Sequence, residues 1–338
     1  MTAAHQQAPR TAAPAPARTQ RAGAAPAAPP AGGLATSHRQ RSATASSGRS
    51  GPRRQRVAYL YLLPALLLYT AFVIAPWLHT LELSFYRWDG VTAGTWAGLD
   101  NYRQVLTDPQ LMGSLWHALG YIGFYTVLPI AAGLVLAAVI GRARQGRNFA
   151  VARTVLFLPQ IVPLVAVGVI WRWMYAQDGT VNQLLDAVGL HSWTRAWLGD
   201  FTWAYVAVGL VGSWVMLGLC LVLFQAGIQK IDTSLYEAAR IDGAGPVREF
   251  LSVTLPGLRA EIGVAVTVTV ISALASFDVV YVTTGGGPGD TTTVPGLLIY
   301  RLAFTGGEVG TACALAVVLS LLISLVVLAI GRLTRERA

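Results

Sequence analysis

The sequence predicts an all-α membrane protein with six transmembrane helices, a polar cytoplasmic loop between the fourth and fifth, and both termini in the cytoplasm. Hydrophobic residues make up 54% of the 338 residues and charged residues only 12%, against a charged share of roughly 25% in soluble domains. The apolar residues are concentrated in stretches that match the length needed to cross a bilayer, about 20 residues. These observations exclude an ordinary soluble domain.

Six apolar stretches are predicted to be the membrane spans. The first follows the basic run at 53–56 and is longer than the core of a cleavable signal peptide, which is about 7–15 residues, so we expect it to remain as a span. Prolines interrupt three of the stretches, which transmembrane helices tolerate where neighbouring groups satisfy the freed carbonyls. The predicted spans are 57–81, 118–140, 152–174, 203–225, 261–283 and 311–331.

The distribution of cationic residues predicts the orientation. Outside the N-terminal tail, 11 Lys and Arg residues lie in the segments on the same side as the termini, and four lie in the opposite loops. Cytoplasmic segments carry the excess of positive charge in multi-pass proteins. Both termini are therefore predicted to be cytoplasmic, in a protein of the cell membrane.

Residues 1–56 are predicted to be a separate cytoplasmic tail, and residues 57–338 the six-span domain. The tail holds nine arginines and no acidic residue, whereas the rest of the chain carries 16 basic and 16 acidic residues. Residues 1–50 contain one Leu and no Ile, Val or aromatic residue, so they lack the apolar surface that would offset the entropy of ordering. The disordered tail either lies along anionic headgroups or is a tolerated extension. Its basic charge is poor support for nucleic-acid binding.

The loop at 226–260 contains the sequence EAARIDGAG, residues 237–245. Either Thr233 or Ser234 is expected to cap a short helix, and Glu237 would complete a capping box with Ser234. Gly243 is expected to end that helix at a sharp turn, and Pro246 to start a second one. Small side chains between charged ends suit close docking of another protein, although a solvated loop helix would have the same pattern.

This stretch resembles the EAA motif of ABC importer permeases. The motif is EAA, three residues, Gly, nine residues, Ile, one residue, Leu-Pro, and the chain has it from Glu237 to Pro256 with Val253 in place of Ile. EAARIDGA also resembles the carbohydrate-uptake branch. The sequence GGGPG at 285–289, followed by IYRLAF at 299–304, is similar to sugar permeases of the maltose or glycerol-phosphate type. Asp232 departs from the family, which usually has Pro before the EAA helix.

The resemblance implies a mechanism and a set of partners. A second permease subunit would form a heterodimer with this chain, two cytoplasmic ATPase subunits would each hold one EAA helix, and an extracytoplasmic binding protein would deliver the sugar. ATP and Mg²⁺ would be bound by the ATPase, and this chain would carry no cofactor. The coupling residues implied are Glu237, Ala238, Ala239, Asp242, Gly243 and Pro256.

Charge inside a span is costly and therefore marks candidate substrate contacts. Asp278 is predicted to lie in the outer half of the fifth span beside Phe277 and Tyr281, where a carboxylate and aromatic faces could bind a sugar. Trp214 on the fourth span, with Ser213 and Gln225, is a second candidate. Pairing of Asp278 with a neighbouring span, and ordinary packing of Trp214, are the structural alternatives.

Other functions are disfavoured by what the sequence lacks. There is no G-x-x-x-x-G-K-[ST] motif, and the only lysine is Lys230, so no ATPase site or other catalytic residue is predicted. The five histidines are scattered, so no metal site is predicted, and the glycine run at 285–289 is interpreted as a surface turn rather than a phosphate site. The alternatives kept open are a permease for another solute, a secondary transporter and a membrane scaffold.

Overall fold

A computed structural model describes residues 52–142 and 147–335. The tail predicted at 1–56 lies outside the described residues as far as residue 51, and a helix begins at Pro52. The range Tyr59–Ala338 forms one compact unit.

The described chain is helical apart from loops and one small hairpin, in which β1 (Tyr86–Arg87) pairs antiparallel with β2 (Thr95–Trp96). The helices are α1 (Pro52–Tyr69), α2 (Ala75–Leu83), α3 (Asp100–Thr107), α4 (Pro109–Ile122), α5 (Leu128–Arg142), α6 (Arg147–Ile161), α7 (Leu164–Met174), α8 (Thr180–Ala187), α9 (Trp203–Ile228), α10 (Thr233–Ile241), α11 (Pro246–Glu249), α12 (Leu255–Gly257), α13 (Arg259–Leu274), α14 (Asp278–Thr283), α15 (Pro295–Phe304) and α16 (Val309–Arg335).

Four continuous helices of the described chain are long and apolar enough to cross a membrane, and two bent helix pairs bring the number to six. This confirms the predicted fold class. In chain order the spans are Tyr61–Leu83, Pro109–Ile140, Thr154–Ile161 with Leu164–Met174, Trp203–Ile228, Pro246–Gly257 with Arg259–Leu274, and Val309–Arg332.

Three of the spans contain a π-helical turn, and each turn ends two residues before a proline. The turns are Thr70–Ile74, Gly123–Val127 and Phe250–Thr254, and the prolines are Pro76, Pro129 and Pro256. Proline has no N–H to donate, and its ring displaces the carbonyl four residues earlier. A local widening of the helix relieves that clash without breaking the span.

The boundaries of two spans differ from the prediction. The second span begins at Pro109 rather than near 118, because Asp108 caps it by accepting hydrogen bonds from two backbone N–H groups. The fifth span ends at Leu274 rather than at 283. Its predicted last turn is the separate short helix α14, so apolar composition alone overestimated the continuous helix.

The third span is broken rather than merely kinked. Helices α6 and α7 meet at an angle of 110°, with Val162 and Pro163 between them. Pro163 has an extended ψ of 135° and stands at the N-cap of α7. The predicted single helix over 152–174 is therefore two helices that share one apolar stretch.

Helix α9 is the centre of the fold. More than half of its apolar window is buried, whereas none of the first span's is, and α9 packs on α5, α6, α13 and α14. Its glycines allow these close approaches, because a Cβ at Gly212 would collide with Tyr125 and one at Gly227 would collide with Leu258. Small residues at helix crossings are the usual basis of close packing in membranes.

Helix α16 forms the second packing centre. It lies against α13, α15, α2 and α3 and buries Leu315 and Ala314 in a cluster with Leu111 and Leu115 of α4. The first span contacts this part of the fold through α2. Most of its apolar surface remains exposed, as expected of a helix that faces lipid or another chain.

Candidate functional site

The loop between the fourth and fifth spans folds as a helix, a tight turn and a second helix. Helix α10 begins after Asp232, whose carboxylate accepts a hydrogen bond from the Ser234 N–H at 2.9 Å. This hydrogen bond, together with one from the Ser234 hydroxyl, lowers the pKa of Asp232. The predicted caps Thr233 and Ser234 are thus wrong, and so is the capping box with Glu237. Aspartate is as good an N-cap as serine, so the residue that departs from the family supplies the helix start.

The turn after α10 depends on Gly243. The Gly243 N–H donates to the Arg240 carbonyl at 3.0 Å, and the Ala244 N–H donates to the Ala239 carbonyl at 2.9 Å, which together form a Schellman motif. Gly243 has a φ of 75°, a conformation that glycine adopts at little cost. An added Cβ at this position would meet open space. The internal requirement for glycine is therefore conformational and not steric.

Helix α11 starts as the sequence predicts. Gly245 stands at its N-cap and Pro246 is its first residue. The chain then passes through a π-helical turn and α12 into α13 of the fifth span. Pro256 lies exposed in α12, at the entry to that span.

The surface of this loop is exposed and partly apolar. Glu237, Ala238, Asp242 and Gly243 are exposed, and Ala239 is half-buried. Large apolar side chains surround them with exposures of 54–86%, namely Leu235, Ile241, Val247 and Leu251. Exposed apolar groups of this size on a polar loop are typical of a protein-binding surface.

The opposite side of α10 is attached to the fifth span by polar contacts. The Arg240 Nε donates to the Glu249 carboxylate at 3.1 Å, and the Tyr236 hydroxyl lies 3.2 Å from the Thr254 hydroxyl. A third link joins the Lys230 ammonium at the end of α9 to the Glu261 carboxylate at 2.9 Å. These contacts hold α10 with its exposed surface turned outward.

The structure brings together three of the four predicted substrate-path residues. Phe277 and Tyr281 stack with their ring centroids 5.2 Å apart, and Asp278 lies between them in sequence as the first residue of α14. Asp278 therefore follows the fifth span across a break and is not inside it, which corrects the predicted position. Its half-buried carboxylate interacts electrostatically with Tyr125, and it has no hydrogen bond or ion pair with the residues that the structure describes.

Two aromatic residues that the sequence analysis missed extend this group. Tyr300 lies 5.5 Å from Tyr281 and 5.5 Å from Phe304, measured between ring centroids. Phe304 is 77% exposed and Tyr281 46%, so the four rings form a ridge with an accessible face. The spacing of four residues in both 277/281 and 300/304 is the signal that could have predicted it, since such pairs share one face of a helix.

Trp214 is separate from this ridge. It contacts Trp171 with ring centroids 5.5 Å apart and is 37% exposed, but no ring contact joins it to Phe277 or Tyr281 in the described chain. Ser213 donates its hydroxyl to the Phe124 carbonyl at 2.7 Å, which ties the fourth span to the second. Ser213 and Trp214 therefore contact different neighbours, and Trp214 as a substrate contact remains a prediction.

The glycine-rich segment after α14 is not a simple surface turn, which corrects that interpretation. Gly286, Thr292 and Thr293 are buried. Arg301 donates to the Gly285 carbonyl and lies 3.6 Å from the carboxylate of Asp290. We call residues 284–294 the outer loop, after the side of the membrane that the charge distribution predicts for it.

The outer loop is also tied to the second span. The Gln110 amide donates to the Asp290 carboxylate at 2.9 Å, and His117 Nδ1 is 2.9 Å from the Thr293 carbonyl. The outer loop therefore joins α4, α14 and α15. The rings of the aromatic ridge come from the start of α14 and from α15, the two helices that this loop connects.

Comparison with known proteins gives the following similarities. Residues 130–337 match the family described as binding-protein-dependent transport system inner membrane component. The chain is 36% identical over 264 residues to the probable ABC transporter permease protein YurN of Bacillus subtilis, a match that covers 78% of this chain and 90% of YurN. It is 32% identical over 289 residues to the trehalose/maltose transport system permease protein MalF of Thermococcus litoralis, which covers 84% and 96% of the two chains.

A solved structure shares the fold. It is the bacterial alginate ABC transporter in complex with an alginate pentasaccharide-bound periplasmic protein, with a TM-score of 0.72 and 22% sequence identity. The match covers 84% of this chain and 96% of the other chain. At this level of identity the similarity concerns the fold.

Proposed function

This chain belongs to the family of inner membrane components of binding-protein-dependent transport systems, and from that membership we propose that it is the membrane-spanning subunit of an ATP-driven carbohydrate importer. The observation that carries the proposal is the loop at 232–258. It has the complete spacing of the EAA motif, and it presents small and apolar side chains outward from two short helices.

The partner of that surface is a cytoplasmic ATPase subunit. Ala238 and Ala239 let its backbone approach closely, while Glu237 and Asp242 fix the register through charge. Gly243 shapes the turn, and Pro256 marks where the loop enters the fifth span. ATP and Mg²⁺ bind in the ATPase, since this sequence has no phosphate-binding G-x-x-x-x-G-K-[ST] motif.

The mechanism follows from two such loops, one on this chain and one on a second permease subunit. Two ATPase subunits close on ATP and draw the loops together, and the attached spans turn as rigid bodies. The cavity between the two permeases then changes from inward-facing to outward-facing. In this arrangement the loop and both termini are cytoplasmic, in agreement with the charge distribution.

A carbohydrate is the substrate class that we propose. The trehalose/maltose transport of the Thermococcus relative and the alginate import of the similar structure support it. Membership of this family also argues against a stand-alone secondary transporter. An extracytoplasmic binding protein delivers the sugar to the outer side.

The substrate path includes Asp278 and the ridge of Phe277, Tyr281, Tyr300 and Phe304. Aromatic faces stack on the C–H faces of sugar rings, and a carboxylate accepts hydrogen bonds from sugar hydroxyls. Trp214 remains a proposed contact on a different surface. The supporting observation is that both Asp278 and the ridge have accessible polar or aromatic surface.

The test has two steps. Cys220 and Cys313 are replaced by Ser, and Ala238→Cys is labelled with a membrane-impermeant maleimide in right-side-out and in inverted vesicles. Labelling only in inverted vesicles is expected, and labelling only from outside would overturn the orientation and the docking role.

The second step purifies the tagged chain from its host with whatever subunits accompany it. The complex is reconstituted with its binding protein and assayed for ATP-dependent uptake of maltose, trehalose, lactose and oligosaccharide probes. Uptake in the absence of an accompanying ATPase would contradict the proposal. So would a failure to take up any of these carbohydrates.

A further inference from the structure

The inner side of α10 lies over a cleft rather than against a packed core. The cleft has a volume of about 410 Å³ and is lined by the end of α9, by Ala138 of α5, and by Tyr236, Arg240 and Glu249. An open space cannot transmit a push from α10 to the spans, because transmission through packed groups requires contact. Displacement of α10 must therefore pass through the backbone and through the polar links described above.

The link between Arg240 and Glu249 crosses the Gly243 turn. Arg240 lies in the last turn of α10, and Glu249 ends α11. The Arg240 side chain is 61% exposed, whereas that of Glu249 is only 7% exposed. The burial of the Glu249 side chain fixes its carboxylate, and the carboxylate in turn holds the guanidinium at a defined place beside the π-helical turn that leads into the fifth span.

The contact between Tyr236 and Thr254 strengthens the same connection between α10 and the fifth span. Tyr236 lies one helical turn before Arg240, so both side chains project from one face of α10. Its hydroxyl contacts Thr254, which is buried. Both bonds end within residues 249–254, the segment that continues through α12 into α13.

We propose that Arg240 is a positioning residue that couples movement of the α10 docking surface to the fifth span through its ion pair with Glu249. This inference rests on the proposed function, and it adds a residue outside the set that contacts the ATPase. When the ATPase draws α10 inward, the ion pair keeps the Gly243 turn from absorbing the motion. Loss of the pair uncouples ATP hydrolysis from rotation of the span, while the ATPase stays bound.

The variant that tests this is Arg240→Gln in the full transporter, purified with its own ATPase and placed in nanodiscs. The matched control is Arg248→Gln, another exposed arginine of the same loop that forms no side-chain hydrogen bond within the described residues. Spin labels at Ser234→Cys on α10 and Val264→Cys on α13, in a chain whose two native cysteines are Ser, report the distance between loop and span. Both positions have accessible side chains.

In the wild type and in Arg248→Gln, trapping with ATP and vanadate should leave this distance unchanged. In Arg240→Gln it should shift or broaden, and uptake per ATP hydrolysed should fall about tenfold, which is within the range of coupling changes that single residues cause. Arg240→Lys, which keeps the charge, should retain most of the coupling. The double variant Arg240→Gln with Glu249→Gln, which removes both partners of the ion pair, should show the same loss of coupling as Arg240→Gln.

Two results would overturn the inference. One is an unchanged distance and unchanged uptake per ATP in Arg240→Gln. The other is loss of the co-purifying ATPase, which would make Arg240 a docking contact instead. The wild-type sample tests the proposed function independently of Arg240. A wild-type complex that contains no ATPase, or that shows no response to ATP, would contradict the proposed function itself.

Discussion

Two polar, glycine-containing loops stand at the two ends of the fifth span, and they differ in the direction that they face. The loop that carries α10 and α11 turns small and apolar side chains outward and leaves a cleft beneath α10. The outer loop buries Thr292 and Thr293 and is bonded to α4 and α15. The first loop exposes apolar side chains to its surroundings, and the second loop is bonded to the chain's own helices.

A glycine in each loop shows the difference. Gly243 and Gly286 both have positive φ, 75° and 95°. A Cβ at Gly243 would meet open space, whereas one at Gly286 would lie 2.6 Å from the Thr293 hydroxyl and 2.9 Å from a Leu297 methyl. The same residue type is therefore required by a turn in one loop and by packing in the other.

The largest expected effect concerns transport. Gly243→Asp should leave the protein inserted, because open space receives the side chain, but should reduce uptake by about a hundredfold, as expected when a side chain is forced into the centre of a docking surface. Uptake in vesicles and co-purification of the ATPase measure it. Gly245→Asp is the matched control, since Gly245 stands at an N-cap where Asp is favoured. Normal uptake by Gly243→Asp would show that the turn is not part of the docking surface.

The second prediction concerns stability of the outer loop. Gly286→Ala combines a clash with a conformation that alanine rarely adopts, so it should lower the free energy of unfolding by about 2–4 kcal/mol. Thermal unfolding in detergent measures the change. Gly285→Ala is the control, because Gly285 also has positive φ but its nearest atom to an added Cβ is 3.9 Å away. Equal losses of unfolding free energy in Gly286→Ala and Gly285→Ala would mean that packing does not require glycine at position 286, and the contrast with Gly243 would fail.

The third prediction tests the aromatic ridge beside the outer loop. Asp278→Asn keeps the shape but weakens hydrogen bonds to sugar hydroxyls, so the half-saturating concentration for uptake should rise about fivefold, the difference between charged and neutral hydrogen bonds. Asp186→Asn, on the exposed helix α8, is the control. Unchanged affinity and rate in Asp278→Asn would remove this residue from the substrate path.

The smallest effect is expected at the start of α10. Asp232→Ala removes the cap, so amide exchange should become faster in the first turn of α10 while the spans are unaffected. Since the pKa of Asp232 is lowered in the folded loop, its stabilising effect is complete above the usual value of 3.8 and is lost as the pH falls through the lowered pKa. Hydrogen exchange near pH 7 should therefore separate the variant from the wild type. Equal exchange at that pH would contradict the cap.

Much of the fold could be predicted because the apolar stretches are long and separated by polar segments. Gly243 and Pro246 were placed correctly, since a turn glycine and a first-turn proline act locally. The cap at Asp232, the break at Pro163 and the end of the fifth span at Leu274 were not. At each of these places several neighbouring residues could form the cap, the break or the helix end. The surrounding packing decides which of them does so.

The residues of the candidate site also divide into those that the sequence could predict and those that it could not. The proposed coupling residues from Glu237 to Gly243 lie within one short segment, so the sequence alone gives their spacing. Tyr300 and Phe304 come from a different helix than Phe277 and Tyr281. Arg301 was counted only as an outer cation, and its bond to the Gly285 carbonyl depends on how α15 lies against the outer loop.

The sequence by itself determined that the chain crosses a membrane, that it carries a complete EAA spacing, and which glycine ends the loop helix. These properties depend on transfer of apolar side chains from water and on local backbone conformation, both of which act within one segment. Tertiary structure alone decided that α10 lies over a cleft, that Arg240 reaches Glu249, and that Gly286, Thr292 and Thr293 of the outer loop are buried. Such contacts join segments that are distant in the sequence, and their energies depend on which groups the packing of α9, α13 and α16 brings within reach.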